Sequence, residues 1–280
     1  MVQRTAITLN SDPDLEVGSA VLRSGMSIKN AIRSMPLIGP LARSIARPFS
    51  RHGSVGYSIA TLRKLRGVHA RTCTVCNYHG KFRAFGDPPR WDARCPSCGS
   101  LERHRLFALL LKQRPGLVRG RLIHFAPEPN IAALVKPLAD QYQSADLFMS
   151  GCDLALNLEQ IDLADGGVDV FLASHVLEHV NDHKALPELR RCLRAGGLAI
   201  IMVPIVEGWT ESYENDEVTT ERDRELHFGQ FDHVRYYGRD IRDRITDAGF
   251  DLEEFTASPA ECIEFGLARG ETVFLATRPA

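Results

Sequence analysis

The chain contains no run of 18 or more apolar residues, which excludes a helix that crosses a membrane. The first residues, MVQRTAITLNSDPDLE, lack the apolar core of a secretory signal. We therefore expect a cytoplasmic protein. The seven cysteines of this 280-residue chain do not indicate a disulfide framework, because no such signal precedes them.

Acidic residues are few in the first part of the chain, and they outnumber basic residues in the second part. Residues 1–105 carry 17 Lys and Arg but 6 Asp and Glu, whereas residues 106–280 carry 17 and 29. The whole is typical of a soluble globular protein, with 44% apolar and 25% charged residues. The asymmetry predicts a basic module that faces an anionic partner and an acidic domain behind it. The alternative is that the two parts attract each other.

Three parts follow from these patterns: a basic segment over 1–68, a cysteine module with a connecting helix over 69–118, and a larger domain over 119–280. In the basic segment, residues 27–49 place apolar side chains every three or four positions with Lys and Arg between them. This spacing predicts a basic amphipathic helix, interrupted by prolines. The helix either packs on its own domain or lies on an anionic membrane, which would make the protein peripheral at the inner membrane surface.

The cysteine module contains two Cys-x-x-Cys pairs, Cys73 with Cys76 and Cys95 with Cys98, separated by 18 residues. This spacing is typical of ribbons in which four thiolates hold Zn²⁺ tetrahedrally. Four thiolates leave no open position, so we expect the zinc to be structural. Gly99 suits the reversal of the chain after the second pair. The alternative is a redox dithiol.

A helix pattern, GSLERHRLFALLLKQRP, follows directly and predicts the connection to the larger domain. Its charged residues come immediately after the second cysteine pair. Arg103 and Arg105 are therefore expected either to hold the two parts together or to contact an anion.

From residue 119 onward, short apolar runs alternate with helical patterns. This alternation predicts an α/β fold with a mostly parallel sheet covered on both faces. The glycine pair Gly196–Gly197 is expected to end the helix HKALPELRRCLRA. No clear helix separates the last two predicted strands, DLEEFTA and TVFLATR, so they are expected to pair antiparallel at the sheet edge.

The most specific text is VDVFLASHVLEHVNDHKALPELRRCLRAGGLAIIMVPI, residues 168–205. It resembles class I S-adenosylmethionine (SAM)-dependent methyltransferases, which often read aspartate, apolar strand, S-H-V-L-E-H, helix, L-x-x-G-G, apolar strand. The resemblance covers about residues 119–277. With the cysteine pairs and CGSLERHR, residues 73–277 look like bacterial methyltransferases that carry an N-terminal zinc ribbon. The resemblance implies a Rossmann-like seven-stranded sheet with SAM at the carboxyl ends of its first strands.

The stretch RLIHFAPEPNI, residues 121–131, falls on the first motif of that family, acidic-x-Gly-x-Gly. His124 stands in the acidic place, and Ala126 and Glu128 stand in the two glycine places. The two prolines fix the turn where glycines would give freedom. The resemblance implies cofactor contacts for these residues, with Glu128 pairing with the SAM ammonium group. Asn130 suits the N-cap of the next helix.

Further cofactor contacts are implied by the resemblance. Asp146 ends the second strand, where an acidic residue accepts the ribose hydroxyls. Asn157 stands where the family often has an acidic residue at the adenine amino group, and its side-chain oxygen can accept that bond. The Leu158 backbone helps to define the adenine edge. Asp153 is the alternative to Asn157 if the alignment slips.

His175 follows the fourth strand and is expected to face the SAM cleft. Methyl transfer is an in-line displacement that needs alignment, and a base where the nucleophile holds a proton. His175 is one candidate for that base, or only lines the pocket. The next residues of the motif, Glu178 and His179, are expected to be structural.

A long polar segment, residues 207–240, follows the fifth strand, and long loops in compact domains are often functional lids. We expect it to grip the acceptor, with His233 as the leading candidate base. The remaining candidates for acceptor contacts are His227, Arg235, Tyr236 and Tyr237.

The sequence thus predicts a SAM-dependent methyltransferase that acts on a small molecule or glycan. Two alternatives stay open. One is an RNA methyltransferase whose basic zinc ribbon holds phosphates. The other is a non-catalytic interaction protein with a degenerate SAM fold, suggested by the missing glycines.

Overall fold

The computed structural model describes residues 54–86 and 88–280. The chain divides into two units, 1–63 and 64–280. The first unit is described only in helix α1, Ser54–Leu65, which continues into the second. The amphipathic helix predicted over 27–49 lies outside the described residues. In the part of the chain that the structure describes, no helix is long and apolar enough to cross a membrane.

The cysteine module and the sheet belong to the same compact unit, and the predicted boundaries at 69 and 119 stay predictions. The module consists of two short antiparallel hairpins. Their strands are β1 (Ala70–Thr72), β2 (His79–Lys81), β3 (Arg83–Phe85) and β4 (Arg90–Arg94). Phe82 is buried between Cys73 and Cys95, and helix α2, Glu102–Gln113, follows.

A seven-stranded sheet forms the centre of the unit. Its strands are β5 (Arg121–Phe125), β6 (Gln141–Asp146), β7 (Leu154–Ala155), β8 (Val168–Ser174), β9 (Leu193–Met202), β12 (Asp251–Thr256) and β13 (Thr272–Thr277). The order across the sheet is β12-β13-β9-β8-β5-β6-β7. Of these seven strands, β13 alone runs against its neighbours. The predicted Rossmann-like, mostly parallel sheet with an antiparallel edge is confirmed.

Helices cover both faces of this sheet, as the apolar text of its central strands requires. One face packs against α4 (Asp182–Cys192) and α6 (Ile241–Asp247). The other face packs against α2, α3 (Pro129–Val135) and α7 (Pro259–Phe265). The parallel strands therefore leave only their ends accessible, and the carboxyl ends are where ligands bind in such sheets.

Two boundaries differ from the sequence prediction. Helix α4 ends at Cys192 and not at Gly196–Gly197, because Leu193 is fully buried and already pairs with Val168 in the sheet. Helix α7 lies between the last two strands, where no helix was predicted. It is short, and its start is fixed by a reciprocal pair of hydrogen bonds between Ser258 and Glu261.

Candidate functional site

Three neighbouring parallel strands end at the same edge of the sheet and bring most of the predicted cofactor residues together. Strands β5, β6 and β8 end at Phe125, Asp146 and Ser174. Ala126, the first residue after β5, donates its N–H to Ala145 O in β6 at 2.9 Å. Parallel neighbours with aligned ends make a crevice for a ligand.

Two of the four non-glycine residues with a positive φ angle in the described part of the chain lie at this edge. Ala126 and His175 have φ angles of 45° and 54°, in the left-handed region that glycine prefers. Each costs about 1–2 kcal/mol for a residue with a Cβ atom. The first glycine place of the motif thus keeps its left-handed backbone although the residue is alanine. Such strain is characteristic of ligand sites.

Glu128 has three side-chain partners in the structure. Arg103 donates to its Oε1 and Oε2 from Nε and Nη2, at 3.0 and 2.6 Å. His104 Nε2 also contacts Oε2, and Ser174 Oγ donates to Oε1 at 3.1 Å. Burial would raise the pKa of Glu128, but the hydrogen bonds from His104 and Arg103 outweigh it and hold that pKa well below its usual range.

These contacts give Glu128 a role that the sequence did not suggest. The residue precedes α3 as its N-cap, and Asn130, predicted for that place, lies inside the helix because α3 already begins at Pro129. The carboxylate joins the strand-to-helix loop to α2 and thereby to the cysteine module. Its predicted pairing with the SAM ammonium group stays a prediction.

His124, in the acidic place of the motif, is completely buried. Its Nδ1 lies 3.2 Å from Tyr142 Oη, and its Nε2 has no hydrogen-bond partner among the described residues. Burial lowers the pKa of His124 to about 4, so the ring is neutral at pH 7 and cannot supply the missing negative charge. It supports the loop from inside the sheet.

Asp146 lies at the carboxyl end of β6, where the sequence places the ribose contact. Its Oδ1 accepts hydrogen bonds from the N–H groups of Phe148 and Met149, at 2.7 and 2.8 Å, which shapes the following turn. Asp153, the alternative to Asn157, is bound through Oδ2 to the N–H and hydroxyl of Ser144. Asp153 is therefore a structural residue that holds β6 to β7, and the ribose contact of Asp146 stays a prediction.

The residues that were predicted to contact adenine, Asn157 and Leu158, follow β7. Asn157 Oδ1 accepts a hydrogen bond from the Glu159 N–H at 2.9 Å, so the oxygen predicted for the adenine amino group already has a backbone partner. The Leu158 side chain is buried in the core. Its predicted backbone contact with adenine is not tested by these contacts.

The predicted lid, residues 207–240, is partly regular. It contains β10 (Tyr213–Glu214), α5 (Glu221–Phe228) and β11 (Arg235–Tyr236). Strands β10 and β11 pair antiparallel. The segment is thus a small ordered subdomain.

Arg235 and Tyr237 of this segment are buried and bind the protein itself. Arg235 Nη1 donates to Leu177 O at 2.8 Å, and Tyr237 Oη lies 3.2 Å from the same oxygen. Tyr237 Oη donates to Asp182 Oδ2 at 3.0 Å. In the structure, these two residues support the 177–182 segment through their side chains. This differs from the acceptor contacts predicted for them.

His227 and Tyr236 are half-buried and remain candidates for acceptor contact. His227 Nδ1 lies 2.6 Å from Tyr213 Oη, and the two rings stack. Tyr236 packs edge-on against Trp209. These aromatic pairs make a wall with polar groups, which suits a flat or polar acceptor.

The two histidines predicted as base candidates lie on either side of Glu178. His175 Nδ1 is 3.1 Å from Glu178 Oε1. His233 Nδ1 donates to Phe228 O at 3.1 Å, and the Val234 N–H donates to Glu178 O at 2.9 Å. Burial lowers the pKa of His233. Glu178, for which the sequence suggested only a structural role, is thus central to the group.

The four cysteines of the two pairs converge. Cys73 Sγ lies 3.7 Å from Cys98 Sγ, and Cys76 Sγ lies 3.8 Å from Cys95 Sγ. All four sulfurs lie within 4.8 Å of one another. A tetrahedron with Zn–S bonds of about 2.3 Å has edges of about 3.8 Å, so these thiols have the spacing to hold such an ion.

The reversal after each pair uses a left-handed residue. Gly99 has φ 73°, as its place in the sequence suggested, and Asn77 has φ 59° in the equivalent place. Both N–H groups donate back to the first cysteine of the pair, Asn77 to Cys73 O and Gly99 to Cys95 O. The two knuckles therefore share one geometry.

Glu271, before β13, is a residue that the sequence analysis missed. Its Oε2 is buried without a hydrogen-bond partner among the described residues. Burial raises the pKa of Glu271 to about 7, while the charges of His175 and Arg103 act in the opposite direction. In the sequence, Glu271 only precedes the apolar run of the last strand. Nothing in that position indicates its proximity to the charge of His175, which is almost a hundred positions earlier.

Replacing Glu271 by Gln is expected to change the pH dependence of stability. Below the ordinary pKa of 4.5 both folded and unfolded states hold the proton, so the carboxyl costs nothing. As the pH rises towards 7, the unfolded chain ionises first and the folded wild type loses stability. The variant should therefore gain up to about 3 kcal/mol relative to wild type, with a plateau above pH 7. Urea unfolding of both proteins at several pH values measures this difference, and a pH-independent difference would contradict it.

A cavity of about 310 Å³ lies elsewhere, at the amino ends of the strands, beside Asp169, Arg194 and Gly196. It is lined by charged side chains that pair with each other, such as Arg194 with Asp169. Because the strained loops lie at the opposite ends of the same strands, this cavity is separate from the candidate site.

Residues 117–201 match the family model described as a methyltransferase domain. The segment runs from just before β5 into β9 and contains Ala126, Asp146 and His175. The match gives this part of the chain a similarity to methyltransferase domains. No curated protein sequence matches the chain.

Several solved structures are similar in fold. The YcgJ protein from Bacillus subtilis is 11% identical over 63% of this chain and 99% of that one, with a TM-score of 0.45. A SAM-dependent methyltransferase from Mesorhizobium loti is 14% identical over 62% and 97%, with a TM-score of 0.43. The Burkholderia thailandensis 1,6-didemethyltoxoflavin-N1-methyltransferase is 17% identical over 62% and 77%, with a TM-score of 0.43.

Proposed function

We propose that this chain transfers the methyl group of SAM to a small-molecule or glycan acceptor. The observation that carries the proposal is the edge where three adjacent parallel strands end, with Ala126 and His175 just after two of them and Asp146 at the end of the third. The small side chain and left-handed backbone of Ala126 let a ligand approach the chain closely. Asp146 can still accept hydrogen bonds from ribose hydroxyls, because a carboxylate has about four acceptor sites.

SAM supplies an activated methyl group on a sulfonium sulfur, and the protein aligns the acceptor with it. His175 is the histidine whose side chain reaches solvent at this edge, with 30% of it exposed. We assign it, ahead of the buried His233, to hold the acceptor proton. The lid residues His227 and Tyr236 are assigned to the acceptor.

We also propose that the four cysteines hold a structural Zn²⁺ ion. The sulfur spacing supports this, as does the small core of the module, in which Phe82 is the main buried side chain besides the cysteines. Such a core is too small to fold alone. The contacts of Arg103 and His104 with Glu128 suggest that the module holds the loop between β5 and α3, which contains Ala126.

An RNA acceptor is the second candidate. Phe85 and Trp91 are exposed on the β3–β4 hairpin, and the Arg94 guanidinium lies 5.5 Å from the Phe85 ring centre. Exposed aromatics next to arginines suit stacking on single-stranded bases. RNA binding that weakens steeply with salt and is lost in Trp91→Ala would favour this candidate.

Calorimetry with SAM tests the proposed function. We expect binding to the wild type and at least about tenfold weaker binding to Asp146→Ala, because a buried ribose contact is worth more than about 1.4 kcal/mol. Asp153→Asn serves as the matched control and should keep its affinity. Absence of SAM binding at millimolar concentration would refute both enzyme candidates and leave the non-catalytic alternative. Unchanged affinity in Asp146→Ala would exclude the ribose contact of Asp146, and weaker binding to Asp153→Asn would make Asp153 a cofactor contact.

A further inference from the structure

We propose that Glu178, His179 and His233 form a divalent-metal site beside the SAM edge, separate from the four cysteines. One ligand atom from each residue lies within 4.8 Å of the others. Two imidazoles and one carboxylate are a donor set that binds Mn²⁺, Fe²⁺, Co²⁺ and Zn²⁺. Three protein ligands leave coordination positions for water or an acceptor.

Glu178 provides the independent reason to expect a cation. Its side chain is fully buried, and neither carboxylate oxygen has a hydrogen-bond partner within residues 54–86 and 88–280. His175 Nδ1 lies 3.1 Å from Oε1 but is not aligned for a hydrogen bond. A buried carboxylate without hydrogen bonds is unfavourable, and a bound cation removes that penalty.

The two histidines have the outer contacts that metal ligands usually make. His233 Nδ1 donates to Phe228 O at 3.1 Å, and His179 Nδ1 lies 3.3 Å from Asp232 Oδ2. These contacts leave Nε2 of each ring for an ion and fix the ring orientation. The two rings meet edge to face, with centres 4.7 Å apart.

The site is held together before any ion binds. The Val234 N–H donates to Glu178 O at 2.9 Å, which places His233 beside the Leu177–His179 turn. Arg235 donates to the carbonyl oxygens of Leu177 and Val180 from the other side. The buried contacts of Arg235 therefore hold His233 of the lid beside the motif S-H-V-L-E-H.

The ion would lie next to His175, the residue that follows β8. If the proposed function is correct, a hydroxyl of the acceptor occupies an open position on the ion. Its proton leaves to water or His175, the oxygen bonds to the methyl carbon, and the carbon–sulfur electron pair stays on sulfur as S-adenosylhomocysteine is released. This step rests on the proposed function, whereas the ion site itself does not.

The test uses Mn²⁺ on the zinc-loaded full-length protein, because four thiolates favour zinc over Mn²⁺. Electron paramagnetic resonance should show one Mn²⁺ bound per chain. Glu178→Gln and His233→Ala should bind it at least tenfold more weakly. His183→Ala is the matched control, an exposed histidine in the first turn of α4, and should bind like wild type. Enhanced relaxation of water protons should show an open position.

Thermal unfolding keeps the test decisive if a variant is unstable. Without Mn²⁺, Glu178→Gln should melt at the same temperature as wild type or higher, since it removes an unpartnered carboxylate. Added Mn²⁺ should raise the melting temperature of the wild type and of His183→Ala, but not that of Glu178→Gln. Equal Mn²⁺ affinity in wild type and Glu178→Gln, or no binding to either, would overturn the proposal. SAM binding to the Mn²⁺-free protein is measured separately, so failure of the proposed function is distinguishable.

Discussion

Loss of the metal in the cysteine module is expected to weaken SAM binding at least about tenfold, although the module does not reach the three strand ends. In Cys76→Ser the module loses one thiolate and most of the folding energy that a structural zinc supplies, about 10–16 kcal/mol in small zinc modules. Helix α2 begins four residues after Cys98. Without a fixed start of α2, Arg103 and His104 no longer hold Glu128, and the loop that contains Ala126 loses its anchor.

Arg103→Met separates this link from the folding of the module. It removes the two-point contact with Glu128 but leaves the four cysteines intact, so SAM affinity should fall while zinc content stays at one per chain. Arg114→Met is the matched control, because Arg114 lies just after α2 and pairs with the exposed Glu253. Calorimetry with SAM and metal analysis measure both quantities. Unchanged SAM affinity in Cys76→Ser and Arg103→Met would mean that the module has no influence on the loop.

The sheet and the positions of the site residues were predictable because they depend on local patterns. The apolar runs define the strands, and the residues after each strand end must share one edge when the strands are parallel. The resemblance to methyltransferases implied cofactor contacts for Ala126 and Asp146 and placed His175 at the cleft, and the strand ends bring all three to one edge. The spacing of the cysteine pairs also defines their convergence, since each pair forms its own knuckle.

The partners of the charged residues were not predictable, because they depend on contacts between elements distant in the sequence. Glu128 was expected to face the ligand, yet Arg103, 25 residues earlier, already binds it. Glu178 was expected to be structural, yet a histidine from the lid completes a donor set around it. Periodicity shows which face of an element is buried, but it does not show which charge lies opposite.

Arg105→Met is expected to lower the free energy of unfolding by about 3–5 kcal/mol. Arg105 is fully buried, and its guanidinium donates to four carbonyl oxygens. The acceptors are Ala93 O, Ser100 O, Phe265 O and Gly266 O. Two of them belong to the cysteine module and two to the C-terminal end of α7. The guanidinium also lies over the Phe82 ring, 4.6 Å from its centre.

The size of the effect follows from what the substitution leaves behind. Methionine fills a similar volume but donates no hydrogen bond, and each buried carbonyl without a donor costs about 1–3 kcal/mol. The carbonyls at the end of α7 also lose a favourable cation at the negative end of the helix. For a unit of this size the loss corresponds to a fall in melting temperature of about 6–20 °C.

Calorimetric unfolding of Arg105→Met beside Arg114→Met measures this loss, and the exposed Arg114 should change stability by less than about 1 kcal/mol. The comparison also tests how the two parts of the chain are joined. If Arg105 is the main link, the variant should unfold in two steps, the cysteine module first, because it loses its contact with α7 while its own metal site stays intact. A single transition at the wild-type temperature would show that the other contacts hold the module in place without it.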